Sequence, residues 1–194
     1  MYKRLPALGA ALVWAALLAG CGGGSAGAGV VSANGSTSLE QVMGILMESY
    51  REICPEVTVN YTGSGSGAGI AGVIAGTCDL GLSSRPLKEQ ELAQGIRAHL
   101  LALDGLAVVV HPNNPAEDLA LEEIARIFRG EVSTWAELGW EDRPVAVIGR
   151  EAGSGTRGAF ESIVGVEGRC AYTNELTSTG DVLANVASNP NAIG

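Results

Sequence analysis

Apolar, β-branched runs that empty into glycine-serine turns, each of which opens a helix, constrain this chain more than any other feature. Val30 to Ala33 leads into Gly35-Ser36-Thr37-Ser38, and Val57 to Tyr61 leads into Gly63-Ser64-Gly65-Ser66-Gly67. Val145 to Ile148 runs into Gly149-Arg150 and then Gly153-Ser154-Gly155-Thr156. After each turn the apolar residues change to helical spacing, most clearly at Leu39, Val42, Met43, Leu46 and Met47. Strand, turn and helix in repeated succession predict an α/β fold with mostly parallel sheets, because each helix returns the chain to begin the next strand in the same direction.

The remaining elements follow from the same periodicities. Helices are predicted over Ser36–Arg51 (ended by Pro55), Gly67–Ala75, Lys88–Gln94, Leu121–Phe128, Ser154–Ile163 and Val182–Ala187, with a helical turn at Trp135–Leu138. Strands are predicted at Asp79–Ser83 and Leu100–Leu103 besides the three named above, and Leu106–Val110 is a strongly apolar run that ends at the turn cluster His111-Pro112-Asn113-Asn114-Pro115. The stripes Leu39/Val42/Met43/Leu46 and Leu121/Ile124/Ile127/Phe128 read as core faces. Ala192-Ile193-Gly194 reads as the first residues of a strand, so the chain is expected to be truncated at its C-terminal end.

A helix N-terminus presents unpaired N–H groups and about half a positive charge, so it suits phosphate, sulfate or carboxylate. Three such starts in one small protein, with Arg150 just before the third, predict convergence on a single oxyanion. The net charge of −9 argues against nucleic acid, since no basic stripe exists to displace counterions. It also means that an anion must be held by short-range, oriented donors. Arg150 can give a planar pair of donors. A carboxylate such as Asp79 beside a bound anion repels it unless a proton lies between them. Phosphate carries that proton at neutral pH and sulfate does not, so a buried acceptor would select phosphate. The residues alone leave open a plainly structural Asp79–Arg150 pair.

Lys3 and Arg4, the apolar run Leu8–Leu18 and the ending Leu18-Ala19-Gly20-Cys21 predict a secretion signal over residues 1–20. The cysteine at the cleavage point resembles a bacterial lipobox, which makes Cys21 the expected lipidation site and 21–29 a flexible tether. An exported domain permits disulfides, and Cys54–Cys78 is one possibility, two free thiols the other; Cys170 has no assigned role. No metal site is expected, because neither His99 nor His111 falls at ligand spacing with a cysteine. Enzyme motifs are incomplete. Gly67-Ala68-Gly69-Ile70-Ala71-Gly72 has dinucleotide-binding spacing, but Ser83-Ser84-Arg85 stands where an acid is needed. Gly149 to Thr156 lacks the P-loop lysine. A non-enzymatic protein without cofactors is expected.

Taken together, Gly35-Ser36-Thr37-Ser38, Gly65-Ser66-Gly67, Asp79-Leu80-Gly81-Leu82-Ser83-Ser84-Arg85, Leu103-Asp104-Gly105, Trp135, Gly149 to Arg157 and Asn189 to Gly194 resemble the extracytoplasmic phosphate-binding proteins of bacterial ABC transporters. That resemblance implies a two-lobed, periplasmic-binding-protein-like fold of type II, with a ligand cleft between the lobes. It implies lobe one over residues 30–104, lobe two over 105–188 and the start of a return strand at 189–194. It further implies phosphate donors at Thr37, Ser38, Ser66, Gly67, Ser154, Gly155 and Thr156, with Ser66 and Gly67 interchangeable. Asp79 would read the phosphate proton, paired with Arg150. The implied partners are inorganic phosphate, the permease subunits and, through the anchor, the membrane. The alternatives are a receptor for molybdate or sulfate, or a phosphate-sensing or adhesion domain on the same fold.

Overall fold

The computed structural model describes residues 29–194; the expected signal, Cys21 and most of the tether lie outside the described residues. Two three-stranded parallel sheets organise the chain. In the first, β1 (Gly29–Gly35) is central, flanked by β2 (Val57–Gly63) and β3 (Leu80–Leu82). Ala33 of β1 stands beside both Tyr61 and Leu80. A 3-10 turn at Thr37–Leu39 opens α1 (Glu40–Ile53), and α2 (Ser66–Ile74) links β2 to β3. The small-residue composition of α2 has a packing cause: a Cβ on Gly69 would lie 2.4 Å from the Asn34 carbonyl oxygen, so only glycine lets the helix lie this close to β1. The dinucleotide-like glycine spacing is thereby used for helix–strand contact.

After the short α3 (Glu89–Leu92) and α4 (Leu121–Phe128), the second sheet forms around β4 (Ala146–Arg150). Its neighbours are β5 (Asn174–Leu176) and β6 (Ala192–Ile193). Helices α5 (Gly155–Val164) and α6 (Thr179–Ser188) complete the parallel crossovers. The main core sits here. Ile127, Phe128, Val132, Trp135, Val147 and Ile193 are buried together, and the Trp135 indole N–H donates to the Asn191 carbonyl at 3.3 Å. Phe128 stacks at a tilt on Phe160 and edge-on to Tyr172. β6 joins this second sheet, and Ile193 also meets Val110 in an antiparallel bridge.

Several expectations need correction. Leu100–Leu103 does not form a strand, and in the apolar run that follows only Val109 and Val110 find backbone partners among the described residues, in Gly194 and Ile193. A strand needs a neighbour as well as an apolar sequence, and Leu100 and Leu103 remain 82% and 90% exposed. β5 and the first turn of α6 were not anticipated, because Asn174-Glu175-Leu176 carries no β-branched residue. Of the α1 stripe, Met43 is buried whereas Val42 and Leu46 are each 41% exposed. In α4, Ile127 and Phe128 are buried while Leu121 stays exposed. Cys54, Cys78 and Cys170 are all free thiols. Cys54 precedes β2 and Cys78 precedes β3, and β1 lies between them. Two strand spacings, about 10 Å, exceed the roughly 7 Å that a disulfide can span between Cα atoms.

Candidate functional site

Parallel strands deliver the turns that follow them to one end of a sheet, and here the two sheets meet at those ends. The β1–α1, β2–α2 and post-β3 segments face the β4–α5 and β5–α6 segments. Four polar contacts among the described residues link the two sides of the junction. The Gly67 N–H donates to the Gly153 carbonyl at 2.9 Å. The Thr179 N–H donates to Thr37 Oγ1 at 3.3 Å, and the Thr37 and Thr179 hydroxyls are 3.4 Å apart. Ser84 Oγ lies 3.4 Å from Thr156 Oγ1.

Hydroxyl groups dominate this junction. Ser36 Oγ donates to Ser84 Oγ at 3.0 Å and lies 2.8 Å from Ser38 Oγ. Ser66, fully buried, accepts from the Ser84 N–H at 3.1 Å and has its hydroxyl 3.3 Å from Ser84 Oγ. The Tyr61 hydroxyl fixes the turn beneath by donating to the Ser36 carbonyl at 2.6 Å. Gly155 at the start of α5 sits hard against this cluster: a Cβ there would come within 2.3 Å of Ser66 Oγ and 2.7 Å of Ser84 Oγ. Thr37, Ser38, Ser84, Thr156 and Thr179 open onto a cleft of about 550 Å³.

The starts of α2, α5 and α6 and the turn before α1 therefore converge. In α5 the Ser154 hydroxyl caps the Arg157 N–H at 3.2 Å and the Ser154 carbonyl accepts from Gly158. That leaves the Gly155 and Thr156 N–H groups without a hydrogen-bond acceptor among the described residues. Neutral dipoles of this kind suit an anion in a protein whose net charge is already negative.

Arg150, at the end of β4, is buried to 6% exposure. Its Nε and Nη2 grip the Glu151 carboxylate at 2.9 and 3.0 Å, and Nη2 also donates to the Thr177 carbonyl at 3.1 Å. Nη1 donates to Thr179 Oγ1 at 2.9 Å. Thr179 Oγ1 accepts from the guanidinium and also lies 3.4 Å from Thr37 Oγ1, a pair in which either hydroxyl can donate. Arg150 thus positions a hydroxyl beside Thr37 while tying down the β5–α6 connection.

Most residues proposed from sequence lie at this junction: Thr37, Ser38, Ser66, Gly67, Arg150, Ser154, Gly155 and Thr156. Gly67 differs in use, since its N–H already serves the contact to Gly153. Asp79 does not join them. Its carboxylate accepts from the Ser32 N–H and hydroxyl, both at 2.7 Å, and its N–H donates to the Ser32 carbonyl. Ser32 is four residues upstream of Ser36 along β1, about 13 Å at strand rise. The expected Asp79–Arg150 ion pair is accordingly replaced by Arg150–Glu151. The Ser32 hydroxyl, with the Ser32 N–H, holds the Asp79 carboxyl below its ordinary range, which marks a satisfied strand-edge cap.

Ser36, Ser84 and Thr179 were missed as site residues. Ser84 follows β3 at the position where the other turns follow their strands, and Ser178-Thr179-Gly180-Asp181 is a legible helix start, with Ser178 Oγ accepting from the Asp181 N–H at 3.0 Å. Among the described residues no cluster of three His, Cys, Asp or Glu could hold a metal.

Residues 22–194 match the family model described as the PBP superfamily domain. The chain belongs to the PBP superfamily. Within it, the chain resembles PstS-type phosphate-binding proteins of ABC transporters. A structure titled as a putative phosphate ABC transporter substrate-binding protein with bound phosphate, from Clostridium perfringens, superposes with a TM-score of 0.82 at 38% identity. That match covers 85% of this chain and 69% of the other. An ABC-type phosphate transport receptor from Vibrio cholerae gives 0.66 at 36% identity, covering 84% and 69% of the two chains. Among curated relatives, phosphate-binding protein PstS 2 of Streptococcus pneumoniae is 40% identical over 110 residues, and PstS of Pseudomonas aeruginosa is 31% identical over 186. These alignments span 57% and 86% of this chain but only 38% and 58% of the relatives.

Proposed function

We propose that this chain binds inorganic phosphate between its two sheets, outside the cytoplasmic membrane, and passes it to an ABC-type permease. The observation that carries the reading is the convergence of helix starts and hydroxyls from both sheets on one cleft, with the buried Arg150 behind Thr179. In this reading Thr37, Ser38, Ser66, Ser154, Gly155 and Thr156 supply donors, joined by Ser84 and Thr179. Gly67 bridges the lobes. Residues 30–104 and 105–188 act as the lobes that close on the ligand, and 189–194 begins the return from the second. Lipidated Cys21 would hold the protein at the membrane surface. The role is receptor rather than catalyst, in keeping with the likeness to phosphate-binding and substrate-binding proteins.

Isothermal titration of the chain with phosphate, sulfate and molybdate tests this directly. Saturable, one-to-one phosphate binding that outcompetes the other two is expected. Preference for sulfate or molybdate would replace phosphate with that ion, and no binding of any of them would remove the function.

A further inference from the structure

The first turn of α5 carries a cation where helix electrostatics argue against one. Arg157 follows the Ser154 cap within that turn, which holds no acidic residue. A helix N-terminus already bears partial positive charge, which disfavours an arginine there unless other contacts offset it. Those contacts run backward along the chain and down the helix. Arg157 Nη1 donates to the Arg150 carbonyl at 2.8 Å, closing the whole turn between β4 and α5. Its Nε donates to Glu161 Oε1 at 2.7 Å, and Nη1 lies 3.0 Å from Glu175 Oε1 on β5. The guanidinium also rests over the Tyr172 ring, 4.7 Å from its centre, and the Tyr172 hydroxyl donates to the same Glu161 oxygen at 3.1 Å. The Arg157 and Glu161 side chains are largely buried, at 17% and 10% exposure. Arg157 does not line the cleft.

We propose, resting on the phosphate-binding reading above, that Arg157 is a positioning residue: by holding the Arg150 carbonyl it fixes where the Gly155 and Thr156 N–H groups stand. The turn it closes serves both lobes. The Gly153 carbonyl accepts from Gly67 across the junction, and the end of the turn carries the two N–H groups left open for an anion. Pairing with β5 fixes the strand end of this turn and the Ser154 cap fixes its helix end; the Arg157 side chain ties one end to the other. The tie has to be exact, because Gly155 already lies hard against Ser66 and Ser84. Donors serve a bound ion only when held within about 0.5 Å of the productive geometry.

Arg157→Met combined with Glu161→Gln removes this tie without leaving a buried charge unpaired, whereas Glu161→Gln alone keeps it. Calorimetric titration of both variants and of the wild-type chain with phosphate, alongside denaturant unfolding and amide NMR, tests the proposal. The double variant is expected to fold and to bind phosphate roughly tenfold or more weakly, with the phosphate-induced downfield shifts of the Gly155 and Thr156 amide protons at saturation largely lost. Glu161→Gln is expected to lose stability yet keep wild-type affinity and both shifts, a separation that a purely structural role for Arg157 does not give. Wild-type affinity or full amide shifts in the folded double variant, or an equal loss of affinity in Glu161→Gln, overturns the assignment and leaves the phosphate receptor standing. Absence of phosphate binding by the wild-type chain overturns the receptor and this inference together. Should the double variant fail to fold, Arg157→Gln, whose shorter side chain stops short of the Arg150 carbonyl, is expected to show the same losses, and wild-type binding there counts equally against the proposal.

Discussion

Single residues decide how close the two lobes come. At Gly155 the absence of a side chain is what lets α5 approach Ser66 and Ser84. Gly155→Ala places a methyl 2.3 Å from Ser66 Oγ, inside any real contact distance, and should weaken phosphate binding at least tenfold by calorimetry without unfolding the chain. Arg150 carries a different burden, as the buried anchor for Glu151, Thr177 and Thr179. Arg150→Ala strands the Glu151 carboxylate and frees the β5–α6 connection. A loss of about 2 kcal/mol or more is expected in denaturant unfolding, alongside weaker phosphate binding. Arg150→Lys should recover little, because an ammonium cannot serve acceptors in a planar fork. Asp79 shows the limit of residue-level reasoning. A carboxylate near glycine-serine turns in sequence is a chemical possibility, but its side chain is claimed by Ser32 on the neighbouring strand.

At the scale of elements, the site depends on how each helix begins. Ser178 caps α6 through Asp181 and so fixes where Thr179 stands relative to Thr37. Ser178→Ala should cost about 1 kcal/mol in unfolding free energy, read from the denaturant midpoint, and should also weaken phosphate binding. Elements with strong internal periodicity, such as α1, α4 and β2, were legible from the chain itself. β5 was not, because three residues without β-branching acquire strand geometry only from pairing with β4. The run 100–110 failed in the opposite way: it has the composition of strands, yet only Val109 and Val110 obtain partners.

For the whole molecule, the segment that carries Ser84, which meets Thr156 across the junction, also holds an acid-sensitive ion pair. Directly after it, Arg85 forms a two-pronged pair with Glu91, at 2.9 and 2.7 Å, and the Lys88 N–H adds a third bond. The Arg85 hydrogen bonds hold the Glu91 carboxyl down to about 2 from an ordinary 4.5. A depressed carboxyl stabilises the folded state in full above its unfolded pKa, and that contribution disappears as the pH falls through 4.5 toward 2. Wild type should therefore exceed Glu91→Gln in stability above pH 5, with the gap closing by pH 2; thermal melts across that range check it. Ligand acts on the same equilibrium, and phosphate at a hundred times its dissociation constant should raise unfolding free energy by about 2.7 kcal/mol.

The amino-acid sequence by itself determined the α/β class, the order of most elements and the glycine-serine turns that begin helices, because hydrophobic period and turn chemistry are local properties. It also marked Arg150 and the Ser154–Thr156 start of α5. Tertiary structure alone decided which polar groups share the cleft. Strand order put β1 between Cys54 and Cys78, register turned Asp79 to Ser32, and the meeting of two sheets brought Ser84, Thr179 and Asp104 beside Thr37. Those neighbours are far apart along the chain, and only the packing of one sheet's strand ends against the other's sets the distances between them.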